Sequence, residues 1–259
     1  MKALRRARSL LAIAATLLIT LGVPAHAKDA WNWLKECDVT VMGAAGSTWA
    51  SGEAGTTTLT ITDDYSDRYY FDFQQDAASG LAPATIGATI RLPLNLGMPL
   101  KFGLTAVSSA FSTEGLHGSL NGTLGGMYLG YQVGRLCPLV YVGAVSYKYT
   151  VDDATLYGAH PNDQGAIVNG ELIPVGTTAS LSGTSFPGLG AGVALRVALN
   201  KHLYVEASLD YWPGGSITSY QTSFSDADFT MDSPARPFSV GPTTLLRIGF
   251  GLGPNHIPF

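Results

Sequence analysis

The sequence is short of charge. Lys, Arg, Asp and Glu make up 13% of its 259 residues, about half the share in an ordinary soluble domain. Cysteine is almost missing: Cys37 and Cys137 are the only two, so at most one intrachain bridge can form. Past residue 27 no apolar run reaches the roughly 20 residues that a membrane helix needs. Basic residues are also scarce. Four of the 15 Lys and Arg sit before residue 9, leaving 11 against 19 acidic residues and a net charge of −8 for the remainder. Such a balance argues against a nucleic-acid binder.

The early basic residues have their own explanation. Lys2, Arg5, Arg6 and Arg8 precede an apolar run from Leu10 to Val23, and Ala25-His26-Ala27 follows with small-x-small spacing. Residues 1–27 therefore read as a secretory signal peptide. Residues 28–36, with Trp31, Trp33 and Leu34, are expected to form a periplasmic N-terminal segment ahead of one domain over 37–259.

What the chain does have is 31 Gly, 12 Tyr and period-2 alternation. Alternation of this kind puts successive side chains on opposite faces of a strand. It occurs in eight segments, each long enough to cross a bilayer as a tilted strand. In 186–199, Leu189, Ala191, Val193, Leu195, Val197 and Leu199 oppose Gly188, Gly190, Gly192, Ala194 and Arg196. In 203–212, Leu203, Val205, Ala207, Leu209 and Tyr211 oppose Glu206, Ser208 and Asp210. The final segment sets Leu246, Ile248, Phe250 and Leu252 against Arg247 and two glycines. Met127, Leu129, Tyr131 and Val133 form one face of 124–133. Segments 84–94 and 100–110 offer Ile86, Ile90 and Leu92, then Leu100, Phe102 and Leu104. The first segment, 38–49, offers Val39 and Val41. For 139–151 the expected outer face is Leu139, Tyr141, Gly143, Val145, Tyr147, Tyr149 and Val151, with Ser146, Lys148 and Thr150 inside. Tyr131, Tyr141, Tyr147, Tyr149 and Tyr211 are then candidates for aromatic girdles.

A soluble β-sandwich would also alternate, but its outer face would carry charge. Here the charges share the glycine face, and a continuous apolar face is left for lipid. The connections support this. Short turns near 95–98, 134–138 and 200–202 alternate with long loops near 50–82, 111–119, 152–184 and 213–242. Outer-membrane barrels have short periplasmic turns and long external loops. By this plan 14 of the 19 acidic residues fall in the long loops, so the external surface is acidic. The fold expected is an all-β, eight-stranded antiparallel transmembrane up-and-down barrel. Thr56–Thr62 and Arg68–Phe73 read as a hairpin that would make ten strands if it reached the membrane. A second surface hairpin is expected at Asn169-Gly170.

This plan, the glycines at 188, 190 and 192 and the terminal Phe259 resemble the OmpA/OmpX-type outer-membrane barrels, without the periplasmic domain of full-length OmpA. The resemblance implies a bacterial outer-membrane location, with lipid and lipopolysaccharide as surroundings. It also implies that the barrel-assembly machinery reads the C-terminal aromatic. Pro254 and Pro258 depart from the family's uninterrupted last strand.

Seven charges are expected inside: Arg91, Lys101, Lys148, Arg196, Glu206, Asp210 and Arg247. A three-residue turn at 200–202 would set Arg196 opposite Glu206. An eight-stranded barrel is just wide enough for side chains to fill it, so the set reads as an ion-pair plug, with a narrow channel for ions or small solutes as the alternative. Glu114, His117 and Ser119 superficially resemble the Glu and His-x-Ser set of the lipid A deacylase barrels, but Leu120 stands where that family has Asn. A lipid A-modifying enzyme is therefore the second alternative to a non-enzymatic structural or surface-interaction role. Cys37 and Cys137 both fall at the periplasmic end, as candidates for a disulfide across the barrel. Asp63-Asp64 with Asp67, and Asp152-Asp153, are oxygen donors without a cation-loop spacing, so neither metal nor cofactor is expected. Extracellular ligands would meet the loops.

Overall fold

The structure, a computed structural model, describes residues 38–53, 55–75, 78–94, 99–112, 118–158, 164–168, 170–225, 230–233 and 236–253. Eight strands form the wall: β1 (Asp38–Ala45), β2 (Ala78–Pro93), β3 (Leu100–Phe111), β4 (Ser119–Tyr131), β5 (Leu136–Thr155), β6 (Gly188–Ala198), β7 (Leu203–Trp212) and β8 (Thr243–Leu252). Each pairs antiparallel with the next, and β8 returns to β1 with Phe250 opposite Val41. The ring is closed and has eight members.

Its outer wall is apolar. Val41, Met127, Val193, Leu209, Ile248 and Phe250 are each about half exposed or more. From Leu189 to Leu199 the outward side chains span ten residue steps, about 33 Å along the strand and about 25 Å along the axis at the usual tilt. That matches the apolar band of a membrane barrel. At the periplasmic rim, Gly134 takes a left-handed φ of 56° in the β4–β5 turn. In the β6–β7 turn the Asn200 side chain accepts from the backbones of His202 and Leu203, so His202 is a turn residue.

The expected facing holds along seven strands and fails on β5. There Leu139, Tyr141, Val145, Tyr147, Tyr149 and Val151 are buried inside, and Val140, Val142 and Ala144 are exposed outside. Lys148 is exposed on the outer wall and does not belong to the lumen. Tyr141, Tyr147 and Tyr149 are no girdle; Tyr131 and Tyr211 do face outward, each about half exposed. The physical cause is length. β5 has 20 residues, too many for the bilayer alone. Its lower half faces lipid outside, while its upper half faces water outside and a dry core inside. One alternation that assigns the more apolar face to lipid takes its phase from the upper half, where that face points inward, and so inverts the whole strand.

Three of the long loops, 50–82, 152–184 and 213–242, are mostly strand in their described residues. Above the membrane β5 exchanges β6 for a strand at Thr178–Thr184, which pairs with Tyr220–Phe224. Beyond Gly46, whose φ of 137° breaks the first strand, Ser47–Gly52 pairs with the upper part of β2 and with Phe238–Val240. The 213–242 loop is a long hairpin whose ascending arm pairs with its descending arm. Its two outer edges join Thr178–Thr184 and Ser47–Gly52. The pairing therefore closes a second ring above the first, sharing β2 to β5.

The hairpin Gly55–Thr62 with Arg68–Gln75 does not enter either ring, which excludes ten membrane strands. It alternates cleanly: Leu59, Ile61, Tyr69, Phe71 and Phe73 are buried on one face, and Thr56, Thr58, Thr60 and Thr62 are exposed on the other. The apolar face lies on the core of the upper ring, where the Phe71 ring meets Phe73 at 6.1 Å and Phe224 at 5.5 Å. The hairpin is a lid. The second expected hairpin is present as Gly165–Val168 paired with Glu171–Pro174.

Phe71→Ala removes the centre of this contact and is expected to destabilise the lid by about 3–5 kcal/mol. Limited proteolysis of the reconstituted protein checks it. The lid becomes cleavable while the membrane barrel stays protected, and equal resistance of variant and wild type would refute the lid packing.

Candidate functional site

Inward positions of the lower ring gather three arginines and three carboxylates. Arg91 on β2 grips Glu206 on β7 through two bonds, Nη1 to Oε2 at 2.5 Å and Nη2 to Oε1 at 2.6 Å. Both side chains are fully buried. Arg196 on β6 stands in register opposite Glu206, as the turn length predicts. It donates to Asp38 at 2.6 Å and reaches Glu206 only at 3.5 Å. Its guanidinium lies 3.9 Å from the centre of the Tyr204 ring, and the Tyr204 hydroxyl bonds Thr40 at 2.7 Å. Arg247 on β8 donates to Asp210 at 2.7 Å and to the Tyr141 hydroxyl at 3.0 Å. Tyr141 in turn donates to Asp210.

Small inward residues make room for these long chains. A Cβ built at Gly192 would collide with both the Tyr141 ring and the Asp210 carboxylate. Three positive and three negative groups thus balance in a space without water exposure. Burying ions is costly, and their mutual pairing offsets that cost only when geometry is good. Removing one partner is worse than removing both.

Of the seven predicted lumen charges, Arg91, Arg196, Glu206, Asp210 and Arg247 meet here. Lys101 is half-buried near the periplasmic end of β3, and Lys148 is outside. The expected lumen set omits Asp38, Tyr141 and Tyr204. Asp38 was legible: Val39 and Val41 facing lipid leave Asp38 inward on the same strand. Cys137 is a fully buried free thiol opposite Arg196; Cys37 lies outside the described residues.

Above the charges an aromatic layer fills the lumen. Tyr147 meets Phe111 at 6.2 Å and Trp212 at 6.3 Å, and Tyr149 stacks on Phe238 at 4.2 Å. The lid closes the top.

Two of the candidate oxygen donors in the loops have structural partners. The Asp63 carboxylate accepts from the backbones of Tyr65 and Asp67 within its own turn. Asp64 accepts from Gly170, pinning the lid turn to the second hairpin. No group of three or more metal-ligating side chains occurs among the described residues. Ser119 is exposed at the start of β4, and Glu114 and His117 lie outside the described residues. On the lid, Asp72 accepts from Thr58 and Tyr157, each at 2.6 Å, and these bonds hold its carboxyl below the usual range.

Three solved structures share this general architecture. Ail, the attachment invasion locus protein of Yersinia pestis, is 12% identical with a TM-score of 0.34, covering 83% of this chain and 99% of Ail. The outer membrane protein OprG from Pseudomonas aeruginosa is 13% identical with a TM-score of 0.32, covering 84% and 96%. A major outer membrane protein from Thermus thermophilus is 12% identical with a TM-score of 0.36, covering 83% and 98%. No family model and no curated protein sequence matches the chain. Likeness so remote adds nothing to what the pairing itself shows. A closed eight-stranded ring with an apolar outer wall is built for lipid. The protein is an outer-membrane β-barrel.

The charges set two expectations. Glu206→Leu strands Arg91 and is expected to cost about 3–5 kcal/mol, whereas Arg91→Met with Glu206→Leu recovers most of that loss. Urea unfolding in detergent measures both, and a double variant as weak as the single one would refute the pairing. Asp72, with its folded pKa lowered, contributes stability above its unfolded value of about 4 and loses it as pH falls through the folded value. Protection of the lid amides, corrected for the intrinsic pH dependence of exchange, should therefore hold from pH 7 down to about 4 and fall below it, and Asp72→Asn should flatten that change.

Proposed function

We propose that this protein is an OmpA/OmpX-type barrel that works at the cell surface, as a rigid structural anchor displaying an ordered interaction platform. One observation carries the proposal: the lumen is filled from the ion-pair layer through the aromatic layer to the lid, and Arg91, Glu206 and Arg247 are 0% exposed. A barrel packed in this way suits display better than transport. The platform is polar and acidic. Glu53, Asp64, Asp67, Asp152, Asp153, Glu171 and Asp232 are exposed there, against Arg68 and Arg236. Extracellular ligands would meet this surface, lipopolysaccharide would surround its base, and the assembly machinery would insert the barrel.

The filled lumen speaks against the narrow-channel alternative. We propose a non-enzymatic protein that needs no cofactor; Glu114 and His117 of the lipid A-modifying alternative lie outside the described residues.

Planar bilayers containing the reconstituted protein are the test. No conductance steps are expected at physiological salt. Steady unitary currents, reduced by blocking the lumen, would overturn the display reading in favour of a channel.

A further inference from the structure

Lys148 is the cation that the lumen did not take. It is exposed on the outer wall of β5 and makes no ion pair or hydrogen bond among the described residues. Its cross-strand neighbours are Asn121 on β4 and Thr184.

The outward side chains of β5 fall into three bands. Val140, Val142 and Ala144 come first, then Ser146, Lys148 and Thr150, then Asp152. Alternate residues advance about 6.6 Å along a strand. Lys148 therefore sits about 13 Å along the strand beyond the last apolar side chain, with the first acid about 13 Å further. The middle band widens sideways in hydroxyls: Thr123 lies opposite Ser146, and both Ser119 and Ser182 lie opposite Thr150.

Beside this band is the seam where the two rings part. Residues 185–187 carry the chain from the Thr178–Thr184 strand down to β6. Ser185 is clamped to Tyr147, its N–H donating to the Tyr147 carbonyl and its Oγ accepting from the Tyr147 N–H, both at 2.9 Å. The clamp presents Phe186, 89% exposed, and Leu189 follows at 76%. Two large apolar side chains thus project at the level where the wall of β5 turns polar.

The geometry points to a binding site for the phosphorylated glycolipid headgroup of the outer leaflet. Phe186 and Leu189 lie against its acyl chains. Lys148 pairs with a phosphate, and Asn121, Thr150 and Thr184 contact the sugar hydroxyls. The site continues the lipid-facing wall upward, and the acids beginning at Asp152 confine an anionic group to the level of Lys148. The inference rests on the membrane placement proposed above.

The test uses the full chain in phosphatidylcholine vesicles, titrated with lipopolysaccharide. The readout is the temperature at which the compact gel band converts to the unfolded one. Lipopolysaccharide is expected to raise that temperature for the wild type, and phosphatase-treated lipopolysaccharide is not. Lys148→Glu should keep the temperature found in phosphatidylcholine alone but need about tenfold more lipopolysaccharide for the same shift. Lys201→Glu, in the turn at the opposite rim, should behave as wild type. Phe186→Ser should weaken the shift without abolishing it. An equal titration for Lys148→Glu and wild type, or no shift for the wild type, would overturn the site. Failure to form any heat-sensitive compact band in phosphatidylcholine would instead overturn the membrane placement.

Discussion

In hydrocarbon there is no water to satisfy a backbone N–H or C=O, so a strand in lipid cannot be left with a bare edge. Everything else in this protein answers to that constraint. The pairing of β8 with β1 removes the last free edge, with seven registered residue pairs from Val39–Leu252 to Ala45–Leu246. Once the ring is closed, its narrow interior must hold one side chain from every second residue. That space is filled by arginines and carboxylates where the glycines of facing strands leave room.

Above the membrane the constraint relaxes, because water can satisfy an edge. The chain nevertheless closes again, using Thr178–Thr184 and the two arms of the 213–242 hairpin in place of β6, β7 and β8. The gain there is hydrophobic. The second ring encloses Tyr149, Leu181, Phe224 and Phe238, all buried, and the lid hairpin adds Phe71 and Phe73. The lower ring has its apolar face outside and its polar face inside, and the upper ring has the reverse. This inversion accounts for the low overall charge and for the many threonines and serines in segments that would otherwise pass as flexible loops.

The site shows the same logic in miniature. Arg196 was legible as the partner of Glu206 because strand register follows from turn length. Its stronger bond goes to Asp38, more than 150 residues away in sequence, because closure brings β1 within reach of β6 across the lumen. Tyr141 joins Arg247 and Asp210 for a related reason: a tyrosine offers an apolar ring to the packed interior and a hydroxyl to the charges. Alternation alone counts that ring as grease and sends it to lipid.

By itself the sequence determined the strands, their approximate ends and the face of seven of them, because alternation is a local property carried by successive residues; that eight rather than ten cross the membrane was settled by the pairing. It also marked the lid hairpin, whose buried Leu59 and Ile61 alternate with exposed threonines. Tertiary structure alone decided which way β5 faces, that Lys148 stands outside, and that the loops close a second ring. Those outcomes depend on what medium each face meets at each height, and that medium exists only after the chain has closed on itself.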